Sequence, residues 1–248
     1  MNYLISYPKA GRTWLRVMIG YIISKKIGKK IILFNEKKIT LKAGLTCIKA
    51  THNGAVSDVS YKKMIKGKNV FKKHKVLLMN RNIHDVLVSY YFEATKRNIS
   101  YEGNIHDFIM DDTLGVKKIL QFYKNWWDNR EIPKKLLFLR YEDLRKDTVD
   151  KLKEVLDFFE VYKVNDKSIS EAIEFASFQN MKKMETNKIY SNKELLPGNM
   201  SDEESFKVRK GKIGGYINYL NEDDIEYIDK MLKRYGCEFT KIINKELK

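Results

Sequence analysis

A short apolar run, Tyr3-Leu-Ile-Ser-Tyr7, is broken by Pro8 and Gly11, and Leu15, Met18, Ile19 and Ile22 then recur at helical spacing. Strand, tight loop, helix is the arrangement that constrains this chain most. Free backbone N–H groups and the positive end of the helix dipole converge on one point, which suits an anion, and Lys9 adds a point charge there. The loop is not a Walker sequence, which needs Gly-x4-Gly-Lys followed by Ser or Thr. Here the lysine precedes the glycine and Trp14 closes the loop. Taken alone, the same residues also fit an ordinary strand–helix turn.

The 248 residues, 43% of them hydrophobic, suffice for one large α/β domain with a sizeable core. Apolar stretches such as residues 17–23 fall far short of a membrane span, and the chain opens directly on a strand, so neither a membrane anchor nor a signal peptide is expected. Cys47 and Cys237 form neither a metal-like pair nor a disulfide framework, which suits a reducing cytoplasm. The net charge of +16, from 48 Lys and Arg against 32 Asp and Glu, suits an anionic partner or a solvated lysine-rich surface. No arginine-rich tail, RNP-like aromatic pattern or zinc finger points to specific nucleic-acid binding.

Apolar runs at residues 46–51, 75–80 and 136–141 read as further strands. Between and after them, residues 13–25, 85–95, 116–129 and 222–235 read as helices, and Asp147 as the N-cap of another carrying Leu152, Val155 and Leu156. Residues 26–45 carry only a weak signal. Alternating strands and helices imply right-handed βαβ crossovers and a central parallel sheet flanked by helices. The polar stretch 185–208 reads as a mobile loop, and Gly236 as the stop of the last helix.

Three further signals favour phosphate. Arg81 follows the strongest strand, where α/β sheets bind ligands, and Ser89 lies about two helical turns further on. A guanidinium fork with a hydroxyl suits a terminal phosphate, although Arg81 could equally pair with Asp85. Arg209-Lys210-Gly211 offers two cations and a glycine whose backbone can close over an anion, or a solvated basic turn. Tyr141, at another strand end, could present an aromatic edge to a base or lie in the core.

Together, Tyr7-Pro-Lys-Ala-Gly-Arg-Thr-Trp14, Arg81 through Ser89-Tyr-Tyr, Tyr141-Glu-Asp-Leu144, Ser177-Phe-Gln-Asn-Met181 and Arg209-Lys-Gly-Lys-Ile-Gly214 resemble the sulfotransferase family that uses 3′-phosphoadenosine 5′-phosphosulfate (PAPS). They stand in the family's order between positions 7 and 214. The resemblance implies a single sulfotransferase domain over residues 1–248, with a P-loop-like phosphosulfate loop, and transfer of a sulfuryl group from PAPS to an acceptor hydroxyl. The product would be 3′-phosphoadenosine 5′-phosphate (PAP), and no metal would be needed. It implies that Lys9, Ala10, Gly11, Arg12 and Thr13 hold the phosphosulfate and Trp14 stacks on the adenine, lined by Tyr141 and Phe178. Arg81, Ser89, Arg209, Lys210 and Gly211 would hold the 3′-phosphate, His52 would be the general base, and Ser89 would help direct Lys9. The remaining histidines, His74, His84 and His106, match nothing catalytic and are expected at the surface.

Some positions depart from the family's habit. Ala10 replaces a serine, Arg12 stands where threonine is common, and Ala50-Thr-His-Asn-Gly54 replaces Lys-Thr-His-Leu-Pro, so Lys49 takes no role. The dimer signature of animal members is not recognisable. The acceptor pocket is expected from residues 54–64, 90–102 and 185–206, with Tyr91, Phe92 and Tyr101 as an aromatic wall or as core. The acceptor itself is expected to be a small molecule or a cytosolic sugar intermediate. Two rival classes are a P-loop nucleotide kinase-like enzyme, for which the Walker Lys-Ser/Thr and a metal-holding Asp are missing, and a basic nucleic-acid-binding protein, which leaves the ordered motifs unexplained.

Overall fold

The computed structural model describes residues 1–55, 58–64, 66–189 and 195–236. Four strands, β1 (Asn2–Ser6), β2 (Ile48–Thr51), β3 (Lys75–Asn80) and β4 (Lys135–Arg140), form one wholly parallel sheet in the order β2-β1-β3-β4. The register pairs Ile5 with Thr51 and Asn80 with Arg140. Because side chains alternate along a strand, Leu4, Leu77 and Met79 face one core while Ile5, Val76 and Leu78 face the other. Both faces are therefore apolar, as expected of a parallel sheet covered on both sides.

The Leu4 face is covered by α1 (Arg12–Lys26), α2 (Glu36–Lys42), α6 (Tyr141–Lys146), α7 (Thr148–Phe158), α8 (Asp166–Phe175) and α9 (Phe178–Thr186). The Ile5 face carries α3 (Ile83–Phe92), α4 (Ile105–Met110), α5 (Val116–Asp128) and α10 (Glu222–Tyr235). The local signals behave as their chemistry requires. Asn82 and Asp147 accept bonds from the backbone N–H groups of Asp85 and Asp150, and an Asn221–Asp224 capping box starts α10. Lys25 and Lys26 end α1, where cations suit the helix dipole.

The expected strands and helices are present within a few residues of their predicted limits. Residues 26–45, weak in sequence, contain α2, capped by Asn35 and tied to α1 by a buried Arg16–Glu36 ion pair at 2.5 Å. Tyr141 does not end β4 but starts α6. His84 is a correction: it is buried, not superficial, stacked on Tyr216 with ring centroids 4.6 Å apart. It falls on the core-facing side of α3, among Ile83, Val86 and Leu87. His106 is half-buried and pairs with Asp224 at 2.7 Å. Cys47 is free, and Cys237 lies outside the described residues.

Candidate active site

All four parallel strands end at one edge of the sheet, and each delivers a candidate residue there. β1 leads into the Lys9 loop, β2 into His52, β3 into Arg81 and β4 into Tyr141. A cavity of about 700 Å³ opens above this edge. Of the candidate residues, only Ala10 does not line it; its side chain is fully buried beneath the loop.

The loop is held in an unusual backbone shape. Lys9 has φ +68° and Gly11 φ +86°, both left-handed. A side chain at position 11 would overlap the ring of Tyr141, so glycine is required twice over there, by backbone angle and by space. Trp14 meets Tyr141 edge to face with centroids 5.9 Å apart, and the Arg145 guanidinium lies 5.6 Å from the Trp14 ring. Phe178, at the start of α9, packs over Gly211, where a Cβ would come 2.9 Å from its ring.

Arg81 joins these parts. It donates to the Lys212 carbonyl at 2.8 Å and to the Lys9 carbonyl at 3.4 Å, pairs with Asp85 at 3.4 Å, and lies 4.7 Å from the Tyr141 ring centroid. Its Nε remains buried without a hydrogen bond. Asp85 in turn accepts from the backbone N–H groups of Gly214 and Tyr216, fixing the basic segment to α3. Arg209 pairs with Glu204 and covers the Phe92 ring at 4.3 Å, and Lys210 bonds the Tyr219 hydroxyl.

His52 has a defined set of contacts. The β1–β2 register brings its ring beside the end of β1, where Nδ1 lies 2.9 Å from the Ser6 carbonyl. A carbonyl only accepts, so Nδ1 carries the proton. Nε2 then presents its lone pair, 2.8 Å from the Arg12 guanidinium. Burial first, and the Arg12 charge second, lower the His52 pKa to about 3. The ring is therefore neutral at pH 7.

Sequence reasoning missed a buried carboxylate that three cavity-lining cations surround. Glu93, buried, stands one helical turn beyond Ser89, in a π-helical turn (Glu93–Arg97) that continues α3. Its Oε2 accepts from Lys9 Nζ at 2.7 Å, and its Oε1 accepts from Arg97 Nη1 at 2.6 Å and Lys207 Nζ at 2.9 Å. Burial raises its pKa, but Lys9, Lys207 and Arg97 together outweigh that and hold it well below the usual carboxylate range. Burial likewise lowers Lys9 to about 8, against the opposing pull of Glu93. The four-residue step from Ser89 to Glu93 was the available signal.

In the 185–208 stretch, Leu195 is fully buried, Glu185 accepts from the backbone N–H groups of Lys207 and Val208, and Arg97 Nε donates to the Leu196 carbonyl. Residues 190–194 lie outside the described residues. Tyr91, Phe92 and Tyr101 do not line the cavity; they pack around Phe108 and Tyr219. Among the described residues, no group of three or more His, Cys, Asp or Glu could hold a metal ion, and no helix is long and apolar enough to cross a membrane.

Residues 3–242 match the family described as sulfotransferase domain. The chain belongs to the sulfotransferase family. Among relatives of this sulfotransferase, flavonol 4′-sulfotransferase of Flaveria chlorifolia is 28% identical, over 93% of this chain and 77% of that one. 3-Alpha-hydroxysteroid sulfotransferase of Cavia porcellus is also 28% identical, over 92% and 80%. A mouse sulfotransferase solved with PAP shares the fold, with TM-score 0.65 at 20% identity over 98% of this sulfotransferase and 87% of that chain. Retinol dehydratase, solved with androsterone and inactive cofactor PAP, superposes with TM-score 0.64 at 17% identity, over 94% and 79%.

Proposed function

We propose that this sulfotransferase moves the sulfuryl group of PAPS to the hydroxyl of a small-molecule or carbohydrate acceptor, with His52 as general base. The observation that carries the reading is the convergence of Lys9, His52 and Arg81 on one cavity at the carboxyl ends of three parallel strands. The cavity fits a 3′-phosphorylated nucleotide. The left-handed loop lets the Tyr141 ring lie directly against Gly11, Phe178 lies against Gly211, and the Arg81 Nε, buried without a hydrogen bond, is a donor awaiting an acceptor.

PAPS, when bound, supplies the sulfuryl group and leaves as PAP. The remaining chemistry belongs to the chain. Arg81, Ser89, Arg209, Lys210 and Gly211 hold the 3′-phosphate, and Trp14, Tyr141 and Phe178 flank the adenine. The backbone of residues 9–13, at the start of α1, meets the 5′ end. Lys9 stabilises the charge that builds on the leaving phosphate. His52 takes the acceptor proton at Nε2, the nitrogen that Ser6 leaves unprotonated; Arg12 must yield that lone pair first. The whole chain works as one domain, and the 185–208 segment, which sends Lys207 and Val208 to the cavity, covers the site. The compartment we assign is the cytoplasm. The flavonol and steroid relatives favour a small hydroxylated acceptor.

The test is thermal stability with PAP, ADP and ATP. Ligand at 100-fold over Kd adds about 2.7 kcal/mol, or roughly 5–10 °C in Tm for a chain of this size. A shift confined to PAP supports the reading. A larger shift with ATP, or none, overturns it.

A further inference from the structure

The most unusual group beside the cavity is the Glu93 carboxylate, held by Lys9, Arg97 and Lys207, which line it; an acid beside an anion-binding loop opposes the binding that the loop exists for. Its two oxygens are used differently. Oε1 accepts from Arg97 and Lys207, while Oε2 accepts from Lys9 among the described residues. Arg97 is anchored elsewhere through its Nε on the Leu196 carbonyl, so the Oε1 side stays bonded whatever Lys9 does. Lys9 is thus the exchangeable partner, and two cations already neutralise the carboxylate it would leave. Lys9 and Glu93 side chains are only 7% and 8% exposed, so water competes weakly for either. An ammonium and a carboxylate buried together hold each other strongly, and neither is left uncompensated by the exchange.

On the PAPS reading above, we propose that Glu93 is a positioning residue: it holds the Lys9 ammonium in a resting seat from which the cofactor's 5′ anion draws it, while Arg97 and Lys207 keep Glu93 in place. Ser89, expected to direct Lys9, is one turn away from this contact. The exchange swaps one anion for another on the Lys9 ammonium. It also links the loop to the segment that carries Lys207, because both grip the same carboxylate.

The test is a double-mutant cycle read by the PAP dissociation constant. Glu93→Gln removes the competing charge and is expected to tighten PAP about tenfold, while Glu93→Asp stays near the parent. Added cationic surplus alone would tighten PAP in any background. In a Lys9→Ala background the Glu93→Gln gain is therefore expected to fall below twofold, since coupling of contacting residues appears in such cycles. An equal gain in both backgrounds overturns the proposal. If Glu93→Gln does not fold, a crystal structure of the unaltered protein with PAP decides. Lys9 on the nucleotide with Arg97 and Lys207 still on Glu93 supports it, and Lys9 still on Glu93 overturns it. Absence of any PAP binding would instead remove the cofactor reading itself.

Discussion

The guanidinium of Arg81 donates to the main-chain carbonyl of Lys212 at 2.8 Å, across 131 positions of sequence. One side chain thereby fixes the distance between the strand-end site and the C-terminal basic segment. Arg81→Ala is expected to raise the PAP dissociation constant about 10- to 100-fold, since a hydrogen bond to a charged group contributes about 1.5–3 kcal/mol. ADP, which lacks the 3′-phosphate, should bind the variant and the parent alike. Calorimetric titration with both nucleotides checks this; equal losses for both would place Arg81 elsewhere.

His52→Ala should lower turnover about 10²- to 10⁴-fold, the usual weight of a general base. PAP binding should stay intact. Steady-state kinetics with any accepted hydroxyl compound, paired with PAP titration, separates the two effects.

The pH profile should carry the mark of Arg12. With His52 lowered to about 3, its base form persists as the medium turns acid, so as far as this group is concerned kcat/KM should stay level well below the usual histidine range and fall only as the pH nears that value. Removing the Arg12 charge lessens that depression. Arg12→Thr should therefore move the acid limb upward in pH, and an unmoved limb counts against the pairing.

Lys9 titrates in the opposite sense. Its pKa near 8 means that it is an ammonium below that pH and increasingly neutral above it. PAP affinity should fall by up to about tenfold per pH unit above 8, with uptake of one proton on binding. Titrations in buffers of different ionisation enthalpy measure that proton directly.

The Arg16–Glu36 pair lies outside the cavity and should govern stability alone. Glu36→Ala leaves the buried guanidinium without its carboxylate, at a cost of about 3–5 kcal/mol. Thermal melting should show a loss of about 6 °C or more, while the further rise on adding PAP stays the same.

Much of this architecture was written locally. The β3 run is apolar because both faces of a parallel strand are covered, and residues 222–235 carry their own N-cap and glycine stop. The phosphate loop was legible because proline, glycine and lysine declare a turn, an open backbone and a charge. Contacts made only by the assembled fold were not. α2 is a short helix that relies on the Arg16–Glu36 pair, so its segment shows little periodicity of its own. Arg12 looked like a phosphate ligand and also meets His52, because the β1–β2 register brings two distant segments level. Nothing in the sequence singled out Glu93; the three cations that close around it come from separate segments.

Tyr141 lies where any side chain at position 11 would have to go. The two positions are therefore one evolutionary unit: a lineage that lost the glycine would have to lose the aromatic ring as well, and an acceptable loop could not be grafted from another protein without the strand end that faces it. A site assembled in this way changes by paired replacement.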